Sequence, residues 1–189
     1  MMSLLLHICT GLGLALAAGI RPFTPALSVG GLAGADVLFD FRGTTYAFLQ
    51  SGSFLLVVAC LFVACAVLRP HLVRELVAIA GIALGGLLFA AVLAAHHDTA
   101  WPGLVAGALA GGLAHQTSRP VLNGARERLR DGRAQFAVAL YADTAALVLA
   151  LLCWFAGPVS LLALAFFGRL AWAQHAGARA RLAGLRVLR

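Results

Sequence analysis

Apolar residues occupy this chain in long runs, separated by short polar connections. Six runs, over residues 4–20, 53–68, 76–95, 101–118, 136–156 and 159–173, predict membrane-spanning helices. A span needs about 20 mostly apolar residues to cross the hydrocarbon core. The first run breaks at Gly19-Ile20-Arg21-Pro22-Phe23-Thr24-Pro25, where an arginine and two prolines enter an apolar sequence. A fixed charge beside freed backbone groups is costly in hydrocarbon, so this break belongs near an interface or against a polar cavity. Gly19, Pro22 and Pro25 mark the expected helix break. Residues 26–33 are apolar yet too short to cross, which predicts a short interfacial or re-entrant helix near 22–33. Residues 34–52, with Asp36, Asp40 and Arg42, form the longest polar connection, and Gly157-Pro158 is a tight turn. Ala15-Leu16-Ala17 fits a signal-peptide cleavage pattern, but no arginine or lysine precedes the run, so a retained helix is expected. The predicted fold is all-α: a polytopic membrane helix bundle of about six transmembrane helices with a broken first helix, in one domain over residues 1–189. Residues 174–189 are its basic tail.

Composition narrows the class. Of the 189 residues, 62% are hydrophobic and 11% charged, whereas a soluble domain is only about half apolar. The lipid bilayer is therefore the expected partner. The net charge of +7 comes from arginine alone, since lysine is absent. The arginines gather in short loops and in the tail without interleaved aromatics, which suits anionic lipids on the cytoplasmic face rather than nucleic acid. With the amino terminus inside, the inner loops and tail hold Arg69, Arg74, Arg119, Arg126, Arg128, Arg130, Arg133, Arg179, Arg181, Arg186 and Arg189, eleven against the outer Arg21 and Arg42. The positive-inside rule then predicts both termini in the cytoplasm, in a bacterial cell (inner) membrane. Trp101 and Trp154 would mark the outer interface, and Trp172 the inner one.

Two patterns concern how the helices are arranged. Gly19-Ile20-Arg21-Pro22 ends the first span going outward, and Thr117-Ser118-Arg119-Pro120 ends the fourth going inward. Together with a looser echo of Cys60-Leu61-Phe62 in Cys153-Trp154-Phe155, this matches a 3+3 inverted repeat. Gly103, Gly107 and Gly111 recur every fourth position, as do Gly81 and Gly85, and Gly11, Ala15 and Gly19. Such faces let backbones approach closely, either within the monomer or in a homo-oligomer.

Ionisable residues at membrane depth are the candidate chemistry. Asp143 lies about 10 Å below the inner boundary, and Arg169 in the next, antiparallel span is offset from it by roughly 4–5 Å along the axis. The two either form a buried pair, or Asp143 faces a polar cavity as an ion or proton site with Tyr141, Thr144 and His115. Arg21 either reaches outward to water and headgroups or binds an anionic group at the break, with N–H groups of the following short helix. His96-His97-Asp98 reads as a polar outer loop, and His7 and His175 as single histidines. Cys9, Cys60, Cys65 and Cys153 sit in apolar runs without C-x-x-C spacing, so they read as buried thiols, with no disulfide framework, metal or cofactor expected.

Gly19-Ile20-Arg21-Pro22-Phe23-Thr24-Pro25, the run Gly111-Gly112-Leu113-Ala114-His115, Arg119-Pro120 and Ala142-Asp143 together resemble a bacterial membrane family, the domain of unknown function 4126. The likeness covers most of the chain. It departs from the family where an acidic pair is reduced to Asp143, and where an Ala-Asp-Lys type motif is absent near residues 65–69. The resemblance implies the fold and the location rather than an activity. No H-E-x-x-H or G-x-S-x-G motif and no nucleophile-base pairing occurs, so an enzyme is not expected. The leading expectation is a small transporter or channel for an ion or small solute. The alternative is a structural or assembly protein that packs its glycine faces on partners.

Overall fold

Every long apolar run forms a helix, because a continuous apolar backbone satisfies its own N–H and C=O groups most completely in that form. The structure, a computed structural model, describes residues 2–37, 40–67, 70–128 and 132–186. Arg69, Arg130 and Arg189 lie outside the described residues, as do the side chains of Arg74, Arg126, Arg133, Trp154, Arg179, Arg181 and Arg186. The described residues contain seven α-helices and no strand: α1 (Met2–Ile20), α2 (Phe23–Gly34), α3 (Gly52–Val67), α4 (Pro70–Ala95), α5 (Ala100–Arg128), α6 (Gly132–Phe155) and α7 (Val159–Arg186). Among them, one stretch, Glu75–Ala95, is both long and apolar enough to cross a bilayer. Leu4–Ile20, Gly52–Cys65 and Ala137–Cys153 are shorter apolar helical stretches.

Small residues set the core. Gly11, Ala15 and Gly19 of α1 face Phe89, Gly85 and Gly81 of α4, so these helices are antiparallel. Gly103, Gly107 and Gly111 of α5 face Ala90, Gly85 and Gly81 in the same antiparallel sense. A methyl group added at Gly107 would lie 2.5 Å from the Gly85 carbonyl oxygen, and one at Gly111 would lie 2.8 Å from that of Gly81. Three helices thus touch backbone to backbone, and dispersion between close-packed main chains replaces large interlocking side chains. Ala17, Ala18, Ala90, Ala91, Ala110 and Ala114 are buried around this seam, whereas Leu56, Leu61, Ile79, Leu109, Leu162 and Phe166 are exposed.

The helix directions correct three expectations. His7 near the amino end of α1 meets Asp98 after α4, whereas Gly19 at its other end meets His115 late in α5. The amino end of α1 therefore lies with the 96–100 connection and the 157–158 turn, at the end opposite the arginine-rich connections. The two termini do not share one end of the bundle. The cause is α2, which takes the chain back after the break: Phe23 packs on Phe62 late in α3, and Gly30 abuts Leu49 and Leu55 at its start. What reads in sequence as a short interfacial or re-entrant helix is a return helix antiparallel to α3. The inverted repeat fails for the same reason, because α1 and α5, both antiparallel to α4, run parallel and bring their Arg-Pro segments to one end. Finally, α5 continues through Pro120 to Arg128, and the basic tail continues α7 to Arg186.

The long 34–52 connection folds back onto the core. Phe41 and Leu49, the latter in a short 3-10 turn over Ala47–Gln50, are fully buried in the same cluster as Leu14, Leu88 and Val92. The Phe41 N–H donates to Gln50 Oε1 at 3.3 Å, and exposed Asp36 pairs with Arg42 at 3.1 Å. The connection thus caps α2 and α3 at the arginine-poor end.

Candidate functional site

Proline chemistry makes the elbow that carries the site. Pro22 lacks an N–H, so α1 closes with the Arg21 N–H donating to Ala17 O at 3.1 Å, and α2 begins at once with Phe23. Pro25 costs nothing in the first turn of α2, where its N–H would be unpaired anyway. Only Arg21 and Pro22 separate the two helices, so the Arg21 side chain leaves the elbow toward α6.

There it meets Asp143. Arg21 Nε lies 3.3 Å from Asp143 Oδ1, and its Nη2 donates to the Ala139 carbonyl at 3.1 Å, one turn earlier on α6. Thr24 Oγ1 donates to the same Asp143 oxygen at 3.1 Å. The side chains of Arg21 and Asp143 are 23% and 19% exposed, so the pair is mostly desolvated yet open to water on one side. The guanidinium satisfies both a carboxylate and a helix carbonyl, which offsets the cost of withdrawing it from water.

The residues expected at this site divide into two groups. Arg21 and Asp143 come together, a pairing that replaces the expected Asp143–Arg169 pair. Arg169 is exposed on α7, because α6 and α7 each lie against α1 and have few contacts with each other. Tyr141 and Thr144 are exposed on the outer face of α6, where Thr144 Oγ1 donates to Leu140 O at 2.9 Å. His115, 6% exposed, is held at 3.3 Å by the Gly19 carbonyl, two residues before Arg21. That carbonyl can only accept, so Nδ1 carries a proton in this contact. Thr24, the Ala139 carbonyl and Gln174, whose amide donates to Thr117 O at 2.9 Å beside Pro120, were missed in the sequence. Thr24 had a visible signal, as the polar residue inside the Pro-Phe-Thr-Pro elbow.

A second polar cluster occupies the opposite end. His7 Nδ1 lies 3.1 Å from Asp98 Oδ2, and the His7 and His96 rings stack with centroids 3.6 Å apart and planes 5° from parallel. His7 is therefore not a single histidine, contrary to expectation. Burial lowers the His96 pKa below its ordinary value and the neighbouring His7 charge lowers it further, against the raising effect of Asp98. Among the described residues, no group of three or more His, Cys, Asp or Glu side chains is arranged to hold a metal ion.

The class of protein is therefore an all-helical bundle with a glycine-lined three-helix core and a charge pair at a proline elbow. Residues 8–175 match the family described as a domain of unknown function (DUF4126), and the chain belongs to that family. No curated protein and no solved structure matches the chain.

Proposed function

We propose that this is an integral protein of the bacterial inner membrane and a small transporter or channel for an ion or small solute, with Arg21 and Asp143 at its arginine-rich mouth. The exposed apolar surface supports the membrane part: Leu56, Leu109, Phe155, Phe166, Trp101 and Trp172 face outward, while small residues line the seam between α1, α4 and α5. The arginine distribution supports an orientation. Among the described residues, nine arginines lie toward the end to which α1 carries Arg21, namely Arg21, Arg74, Arg119, Arg126, Arg128, Arg133, Arg179, Arg181 and Arg186, and Arg42 stands at the other end. That end faces the cytoplasm in this reading, and the amino terminus faces away from it.

One observation carries the transport reading: a mostly desolvated ion pair joins a broken helix to a neighbouring helix and stays open to water. Membrane-embedded charges retained at that cost are generally functional. A pair whose two members sit on different helices can exchange its internal partner for a solute ion, which makes it a gate. The assembly reading loses its docking surface, since Gly81, Gly85, Gly103, Gly107 and Gly111 face one another inside the monomer.

Flux in proteoliposomes under imposed potassium, sodium and proton gradients tests this, comparing wild type with Asp143→Asn and Arg21→Ala. A gradient-driven flux that Asp143→Asn changes at least about tenfold, with the fold intact, is the expected result. Absence of flux under all gradients, with Asp143→Asn altering stability alone, would return the site to a structural role. Labelling of cysteines placed near residues 3 and 175 tests orientation: reactivity from opposite sides of the membrane is expected.

A further inference from the structure

The cluster at the arginine-poor end is built from two separate pieces of chain. His7 belongs to the second turn of α1, and His96, His97 and Asp98 follow the last turn of α4. Stacking at 3.6 Å with nearly parallel planes needs at least one neutral ring, because two imidazolium ions at that distance repel. Asp98 faces His7 at 3.1 Å, so the carboxylate gives a charge-assisted partner to that ring and not to His96. A charge on both rings would set like charges 3.6 Å apart.

The backbone of the connection is poised to move. His97 has φ of 61°, in the left-handed region that non-glycine residues rarely occupy. It is kept there by the Asp98 and His97 N–H groups donating to Leu93 O and Ala94 O at 2.9 and 3.1 Å. The α6–α7 turn offers Gly157 to Leu6 and Cys9, and Cys153 is the nearby ionisable group on α6. The groups that bear on the stack are therefore His7 and Cys9 of α1, His96, His97 and Asp98 of the connection, and Cys153.

We propose that His7, His96 and Asp98 form a proton-operated clasp, closed while His96 is neutral and opened when His96 is protonated, which frees the first turns of α1 from the α4–α5 connection. The clasp rests on these contacts and not on the transport reading. It makes the end of the bundle opposite the arginine-rich mouth responsive to mild acid.

Hydrogen exchange of the full chain in nanodiscs, corrected for intrinsic rates, tests the clasp between about pH 7.5 and about pH 5.5. Peptides covering residues 4–10 and 94–99 should lose protection by roughly tenfold on acidification, while residues 84–91 in the glycine core keep theirs. His96→Phe retains a ring to stack and cannot be charged, so it should hold the protection at both pH values, and His96→Gln should lose the pH response without stacking. Unchanged wild-type protection, an acid response in His96→Phe equal to that of wild type, or parallel loss in residues 84–91 would each overturn the clasp.

Discussion

The two ends of α1 are tied down by the same kind of contact, a cation or cation-forming group against an aspartate, with opposite consequences. At the carboxyl end Arg21 meets Asp143, and at the amino end His7 meets Asp98. A guanidinium stays charged at any accessible pH, so the first contact is a fixed electrostatic bond. The second contact carries the His96 ring stacked on His7, so it is conditional on the charge of that ring. The fixed pair lies at the proline elbow beside many arginines, and the conditional pair closes a strained connection at the arginine-poor end. A single helix therefore joins a permanent anchor to a titratable one.

That comparison presumes that α1 is a stiff rod held by α4 and α5. The most damaging change is expected in the seam itself. Gly107→Val places a branched side chain against the Gly85 carbonyl, where a methyl group alone would sit 2.5 Å away. Overpacking of this kind should cost about 3 kcal/mol or more, read as a large fall in the thermal midpoint in detergent, with both ends loosened together.

At the fixed end, Asp143→Ala should cost about 1–3 kcal/mol, below the full value for a buried pair because the site is partly open to water. Arg21→Leu combined with Asp143→Leu should recover much of that loss, which a double-mutant cycle would measure. A double-variant loss equal to the sum of the two single losses would show that the two residues act independently.

The conditional end should give the smallest effects, and these depend on pH. Asp98→Asn should cost under about 1 kcal/mol, as expected of a pair that remains partly exposed. The sign for His96 follows from its lowered pKa: near the ordinary histidine value, about 6.5, the unfolded chain binds more protons than the folded one. Its contribution to stability is complete above that value and falls as pH drops below it. His96→Phe should flatten this slope in pH-dependent thermal melts, and a slope that survives the substitution would point to another group.

Much of this molecule was legible in the chain. Runs of apolar residues marked six of the helices, because a long apolar segment has no cheaper way to pair its backbone groups, although α5 continues to Arg128 and α7 to Arg186, well beyond the ends expected at 118 and 173. The glycine spacing marked the core faces, since every fourth position returns to one side of a helix. Arg21 and Asp143 stood out as charges in apolar surroundings, and so did the two prolines of the elbow. What the chain left open was partnership and direction. Asp143 has arginines on several helices within plausible reach, and depth along an axis carries no information about which neighbour a side chain faces. His7 and Asp98 are 91 positions apart and meet only because α1 and α4 are antiparallel. Sequence alone determined the helices, their small-residue faces and the charged elbow, through local hydrogen bonding and periodicity. The tertiary structure alone decided that α2 turns the chain back, reversing α1 relative to the arginine-rich end, because that choice depends on how Phe23, Gly30, Phe41 and Leu49 pack against distant helices.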